Sequence, residues 1–319
     1  MHSDQGKAGD RHGQEGMHTD AVFSIDWLAL RRPADTAARA HALEARARAW
    51  LDARRGGSPR ALHLVDLGSG SGANPAHLAP RLPGLQRWTL VDRDNALLVH
   101  ARHACASLCD AEGKPVSVHT RLQDLAALDE LTIGEADLVC ASALLDLVDA
   151  TWIERLAAAC DAHGSAVFVT LSVDGSWRFE RLCAPESSAA GVPVWEADTD
   201  VDDPVVNEAF NAHQRGNKGI GAALGPDAAA CLATALRTRG FDVELAASPW
   251  QLQLDDSRQS QLARTLIDGW REAACAQLPA MAERIRRWHA RRQAWCAGNS
   301  GRLVVGHVDL FASPPRSST

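Results

Sequence analysis

Residues 62–78, LHLVDLGSGSGANPAHL, constrain this 319-residue chain more than any other stretch. Apolar residues lead into a carboxylate, Asp66, and glycines then alternate at 68, 70 and 72 before helical spacing sets in at Ala76, Leu78, Ala79 and Leu82. That order predicts a buried strand, a tight glycine turn and a helix start. Glycine is needed where the backbone takes φ > 0 and where a ligand approaches main-chain N–H groups closely. The expected partner is a nucleoside-bearing cofactor.

Spacing alone leaves two cofactor classes open. Gly68, Gly70 and Ala73 satisfy G-x-G-x-x-G/A, the dinucleotide fingerprint, in which a pyrophosphate sits on the helix N-terminus. Residues 66–72 also read as D-x-G-x-G-x-G. This second form resembles the first motif of class I S-adenosylmethionine (SAM)-dependent methyltransferases, whose opening acid meets the methionine amino group directly or through water. A dehydrogenase has no use for a carboxylate there. The resemblance implies that Asp66, Gly68, Ser69, Gly70, Gly72 and Asn74 hold the methionine end of SAM.

Downstream, a strand at 87–91 (RWTLV) ends in Asp92, Arg93 and Asp94. Asp92 follows the turn by roughly twenty residues, where both cofactor classes place an acid for the ribose hydroxyls, with Arg93 beside it. Asp94 is expected to cap a helix from Asn95 to about residue 110. A third strand, 116–120, precedes RLQDL, and here the classes part. The resemblance implies that Asp124 accepts from the adenine amino group, with Leu122 against the ring and Gln123 next to them; the alternative is that Asp124 only caps a short helix. The fourth strand, 136–141, runs into ASALLD. By the open-sheet rule Ser142 to Asp146 faces the transferable group. Ser142 is assigned to the cofactor. Asp146 is either a base or substrate-orienting carboxylate, or an ion-pairing residue at a helix start.

A helix at 153–162 and a fifth strand, 166–172, lead into about fifty residues of mixed charge with several prolines, and loops of that length are usually functional. Residues 174–225 are therefore expected to form a substrate-binding insertion, with Asp174, His213, Arg215 and Lys218 as its polar groups. His213 is the leading general-base candidate because an unperturbed imidazole titrates near neutrality. The alternative is a solvated turn with its cations in water. Upstream, residues 21–60 are expected to form a helical lid, with a helix starting near Pro33, capped by Asp35 or Thr36 and running to about residue 53. Phe23, Trp27 and Arg31 are acceptor-facing candidates on the same resemblance, and Trp27 serves core packing equally well.

A helix at 227–239, a sixth strand at 241–246, a long helical stretch at 257–295 and a seventh strand at 302–311 complete the pattern, with His307 read as packed strand. Over 62–311 the resemblance implies an α/β fold, a three-layer doubly wound Rossmann-like sheet of seven strands. Its last strand is antiparallel beside the sixth. The methyltransferase domain spans 61–312, and residues 1–20 and 313–319 are read as disordered tails. Met17 is an alternative start, and no metal role falls to His2, His12 or His18.

The net charge of -7 offers no basic footprint, which disfavours nucleic acid as a partner. No apolar run approaches the ~20 residues of a membrane span. Eight scattered cysteines without a CxxC pair predict reduced thiols, no metal site and a cytoplasmic location. The chain lacks tyrosine, so acid/base work falls to other side chains. ASALLD also stands where many amino-group and nucleic-acid methylases carry N/D-P-P followed by an aromatic residue. The resulting expectation is a SAM-dependent methyltransferase acting on an oxygen or nitrogen of a small-molecule acceptor and releasing S-adenosyl-L-homocysteine (SAH), with a homodimer left open. An NAD-dependent oxidoreductase is the alternative, although it leaves Asp66 and Asp124 without tasks. A SAM-binding protein that acts through partners without methyl transfer is another.

Overall fold

The computed structural model describes residues 24–57, 60–128, 130–183, 193–217, 220–298 and 301–315. The predicted tail at 1–20, Phe23 and Lys218 lie outside them. Five parallel strands carry the glycine turn: β1 (Leu62–Leu67), β2 (Gln86–Asp92), β3 (Ser117–Leu122), β4 (Leu138–Ser142) and β5 (Ala166–Leu182). β1 lies between β2 and β4, and its near-continuous apolar run suits a parallel strand covered on both faces. Four further strands follow: β6 (Trp195–Asp198), β7 (Asp242–Ala247), β8 (Trp250–Gln253) and β9 (Gly301–Ser313).

The main path through the sheet is β3-β2-β1-β4-β5-β9-β7, with β9 antiparallel to both of its neighbours. This is the expected seven-strand order with its late strand reversed. β6 and β8 are additions, hung on β5 and β9 where those two strands run past the rest of the sheet. Half-buried Val173, Gly175 and Trp177 alternate there with exposed Asp174, Ser176 and Arg178. That two-residue period marks a strand, so the predicted loop from 174 is a continuation of β5. Ser313, placed in a disordered tail by its sequence, pairs with Asp242.

The helices are α1 (Ile25–Ala38), α2 (His41–Arg55), α3 (Ala73–Leu78), α4 (Asn95–Ala104), α5 (Glu130–Ile133), α6 (Ala150–His163), α7 (Asp203–Gln214), α8 (Ala228–Thr238), α9 (Ser257–Gln277) and α10 (Ala282–Ala297). One apolar cluster joins α6 and α8 to the sheet, and a second joins α2, α3 and α4 to it. A third gathers α9, α10, α7 and the overhanging ends of β5 and β9. Trp177 stacks on Trp270 there, with ring centres 4.6 Å apart and planes 12° from parallel. The long helical stretch at 257–295 is two helices, broken by a short turn that begins at Pro279.

α1 departs from the sequence expectation in an instructive way. It begins at Ser24, whose Oγ accepts from the Trp27 N–H at 3.1 Å, and it continues through Pro33 to a break at Arg39 and Ala40. Proline offers no N–H to the carbonyl four residues back. That carbonyl, Ala29 O, accepts instead from Arg258 Nη2 of α9 at 2.6 Å. A partner 229 positions away therefore lets the helix pass its proline.

The region expected to be an insertion is held by charge. Arg292 of α10 is 3% exposed and donates to Asp198 at 2.8 Å and to Asp203, while its guanidinium lies 4.0 Å over the Phe179 ring. Beside it Arg291 bridges Asp200 at 2.6 Å and Asp202 at 2.7 Å. α7 is thereby fixed against α9 and α10, with Val206 and Ala209 buried.

Candidate functional site

The turn after β1 places Gly68, Gly70 and Gly72 at φ of 65°, 50° and 79°. Gly72 is the tightest of the three. A Cβ there would lie 3.0 Å from Cys105 Sγ and 3.1 Å from Ala101 Cβ of α4. Gly72→Ala is therefore expected to cost roughly 1–3 kcal/mol through left-handed strain and overpacking. Urea unfolding of both proteins checks this; an unshifted midpoint contradicts the strain account.

Asp92, at the end of β2, reaches across to the turn. Its Oδ2 accepts from the Gly70 N–H at 2.8 Å and its Oδ1 from the Asp94 N–H at 2.9 Å. The carboxylate thus shapes the loop and faces the same pocket. Asp94 caps α4, as its sequence context predicts. Asp124 lies across the pocket and caps a 3₁₀ turn by accepting from the Ala126 N–H at 2.9 Å. Both readings of Asp124 are therefore compatible with one geometry.

Behind the turn, Asp66 is 1% exposed. Its Oδ1 accepts from Asn74 Nδ2 at 2.6 Å, and Asn74 Oδ1 accepts from Arg39 Nη1 at 2.8 Å. Burial pushes the Asp66 carboxyl up to about 7, against the pull of Asn74 and Arg39. Asp66 does not itself reach the pocket wall; Asn74 and Arg39 do.

The other wall is α1. Leu28, Arg31, Asp35 and Arg39 recur every three or four residues and all face the pocket. Leu28 lies over the turn, its Cδ1 3.6 Å from where a Gly70 Cβ would be. Arg31 and Asp35 form a bidentate pair at 2.9 and 3.1 Å, and the Arg31 guanidinium lies 5.1 Å over the Trp250 ring. Asp309 secures the hinge of this wall. Buried at 0% exposure on β9, it accepts from the Ala40 N–H, the Leu171 N–H and the Ser248 hydroxyl at 2.9, 2.8 and 2.6 Å.

Of the residues singled out from sequence, the pocket brings together Gly68, Ser69, Gly70, Asn74, Asp92 and Arg93 with Asp124, Ser142 and Arg31. Others lie elsewhere. Leu122 is 61% exposed on the outer strand, and Leu97 and Leu125 supply the apolar wall in its place. Gln123 donates to Thr132 Oγ1 at 2.7 Å. Trp27 packs against the third core cluster. Asp174 accepts from the Ser176 N–H and hydroxyl, and Arg215 pairs with Asp227 at 2.8 Å. His213 sits in the last turn of α7 and Asp146 on a 3₁₀ turn, neither of them on the pocket wall. The helix that carries His213 has a signal in the sequence: Asp203-Pro204, a helix-opening pair, is followed by Val206, Ala209 and Phe210 at helical spacing. Leu28, Asp35 and Arg39 have no such signal, because in the sequence Pro33 reads as the start of a helix and in the structure it lies inside one.

His307 is packed in β9, as expected, with its ring 4.7 Å from that of Trp250. Burial lowers its pKa to about 4. The native state then refuses a proton that the unfolded chain accepts, so this residue's contribution falls as pH drops from the ordinary 6.5 to about 4. Asp66 acts with the opposite sign. It keeps its proton up to about 7 when folded but loses it near 3.8 when unfolded, so its contribution falls as pH rises through that range. Relative to wild type, His307→Gln is expected to lose less stability on acidification, by up to roughly 3 kcal/mol. Unfolding free energies of both proteins near neutrality and in mild acid test this, and parallel losses would contradict it.

Among the described residues, no cluster of three His, Cys, Asp or Glu is placed to hold a metal, and no helix is long and apolar enough to cross a membrane. All eight cysteines are free. What remains is a glycine turn at the carboxyl end of a central strand, an acid behind it, an acid after β2, and a seven-strand path whose late strand enters reversed. The fold is that of the class I SAM-dependent methyltransferases.

No family model matches the sequence, nor does any curated protein. Solved structures similar to this methyltransferase fold include SAM-dependent methyltransferases from Thiobacillus denitrificans and Geobacter sulfurreducens, each in complex with SAH. Identity is 16% and 14%, coverage is 91% and 89% of this chain and 99% and 98% of theirs, and the TM-score is 0.40 for both. The cyclopropane synthase MmaA2 from Mycobacterium tuberculosis is similar at 10% identity over 79% of this chain and 78% of its own, with a TM-score of 0.41. Likeness at this level leaves activity and acceptor to the site itself.

Proposed function

We propose that the pocket binds SAM and that the chain transfers its methyl group to an oxygen or nitrogen of a small-molecule acceptor. The observation that carries this reading is the buried Asp66–Asn74–Arg39 chain behind the glycine turn. At the pocket wall this chain presents an amide held by the buried Asp66 and a guanidinium beside it, polar groups that suit the amino and carboxylate ends of an amino acid together. The polar surroundings also leave room for a ligand's groups: Ser69 Oγ and Arg39 Nε are buried without a protein partner. On this reading Ser69, Asn74 and Arg39 hold the methionine end, Asp92 the ribose hydroxyls, and Asp124 with Leu97 and Leu125 the adenine.

Bound SAM would supply an electrophilic methyl carbon on a sulfonium, and the chain's task is then orientation more than acid–base work. Leu144, Leu147 and Ile220 line the pocket along with Ser142 and make that part of its wall apolar. The polar groups facing them from α1 are Arg31 and Asp35, and the reading gives this pair the substrate-side role that His213 and Asp146 were expected to fill. The acceptor's nucleophilic atom would be oriented by the pair, with Asp35 as the carboxylate able to take its proton.

Calorimetric titration with SAM, SAH and NAD⁺ tests the proposal. Micromolar binding of both adenosyl-sulfur compounds and none of NAD⁺ is expected. Binding of NAD⁺ alone would overturn it and make the turn a pyrophosphate site.

A further inference from the structure

Arg39 is an unusual residue to find in the break between two surface helices. It is 5% exposed, and the carboxylates of Asp309, Asp35, Glu44 and Asp66 all act on it. Burying a guanidinium is costly unless its hydrogens are used. Yet Nη1 meets only Asn74, and Nε is buried with no protein partner. The surrounding carboxylates account for a cation here, but they leave the Nε hydrogen without an acceptor. The side chain nevertheless lines the pocket together with the glycine turn, one helical turn on from Asp35.

The cations on the pocket wall differ in what they have left to give. Arg31 spends Nε and Nη2 on Asp35. Arg93 follows Asp92, at the ribose end. Arg39 alone stands at the turn, beside the acid that suits an ammonium. We infer that Arg39 binds the α-carboxylate of the methionine moiety, with Asn74 holding its guanidinium in place, and that this contact fastens the lid helix to the bound cofactor. The inference rests on SAM being the ligand.

The second half follows from position. Arg39 closes α1, and the next residue, Ala40, is pinned by its N–H to Asp309. α1 itself has no fully buried side chain. A ligand carboxylate on Arg39 therefore acts at the C-terminal end of α1, beside the backbone N–H that Asp309 holds. Charge-assisted hydrogen bonds are the strong ones, and a guanidinium fork donates two hydrogens at once to a carboxylate.

The test compares SAM with decarboxylated SAM, which lacks only the carboxylate, by calorimetry on wild type, Arg39→Gln and Arg39→Lys. Wild type is expected to bind SAM roughly tenfold or more tightly than the decarboxylated compound. Arg39→Gln should erase that preference by weakening SAM alone, and Arg39→Lys should retain part of it. Hydrogen exchange gives an independent readout in wild type: SAM should slow the amides of α1 and decarboxylated SAM should not. A purely structural Arg39 would weaken both ligands alike in the variants and protect α1 equally with either. Equal affinities in wild type, or equal losses in Arg39→Gln, overturn the inference while leaving the SAM reading intact. If wild type binds neither compound, both fall together. Should Arg39→Gln fail to fold, the wild-type comparison and Arg39→Lys still decide.

Discussion

Asp92→Ala is expected to abolish measurable binding of the adenosyl cofactor at concentrations that saturate the wild type. Two effects combine in that loss. On the proposed reading the carboxylate accepts from the ribose hydroxyls, and hydrogen bonds to a charged group contribute about 1.5–3 kcal/mol each. It also accepts from the Gly70 and Asp94 N–H groups, so its removal leaves two backbone donors near the pocket floor without their partner and loosens the turn. A decrease in affinity of roughly a hundredfold or more is the expected sum. Asp92→Asn separates the two: the amide oxygen still accepts from one backbone N–H, so the turn should be partly kept while the paired acceptors for ribose are not. Titration calorimetry with SAH on the three proteins checks the order, wild type above Asp92→Asn above Asp92→Ala. Full affinity in Asp92→Ala would sink the assignment of the ribose site.

Arg292→Met should produce the largest loss of stability among single changes outside the pocket. The guanidinium meets Asp198, Asp203, Phe179 and Trp295, and its removal leaves Asp198 with Arg181 at 3.8 Å and Asp203 with the Trp288 and Asp200 N–H groups but no cation of its own. Breaking a buried ion pair from one side typically costs about 3–5 kcal/mol because the remaining charge has no compensation. The loss should be local in its first effects. β6 and α7 are held to α10 through these contacts and those of Arg291, so limited proteolysis is expected to cut near residues 199–202 in the variant before the sheet unfolds. Chemical denaturation measures the overall change. A variant with wild-type stability and wild-type proteolysis would show that the aromatic packing of Trp177, Trp270 and Trp288 holds this region unaided.

What the sequence disclosed is tied to local chemistry. The glycine turn, the acid after β2 and the cap at Asp94 each depend on a few neighbouring residues, and each could be read before any fold was known. The course of α1 through Pro33 could not, because the group that completes the helix is Arg258, far along the chain. The helix that carries His213 is a different case. Asp203-Pro204 and the apolar spacing after it do encode a helix, but a cluster of His, Arg, Lys and glycines drew attention to chemistry first. The overhang of β5 was similarly legible in the alternation of Val173, Gly175, Trp177 and Phe179 with polar residues. The role of Asp309 had no local signal. An aspartate within an apolar strand becomes meaningful only once Ala40, Leu171 and Ser248 surround it.

The placement of β9 has a consequence for how the molecule is made. This strand runs through the interior of the sheet, pairing with β5, β7 and β8, and it carries the carboxylate that holds Ala40 across 269 positions. A ribosome delivers it after every other described strand. Until then β5 presents an open edge, β7 has no neighbour, and the helix that roofs the pocket has no anchor at its hinge. The parallel half of the sheet can assemble on the nascent chain, but a cofactor-competent pocket must wait for residues near 309. Nascent chains stopped before residue 301 should therefore need shielding of their exposed strand edges, and they should gain affinity for nucleoside ligands only when synthesis passes β9.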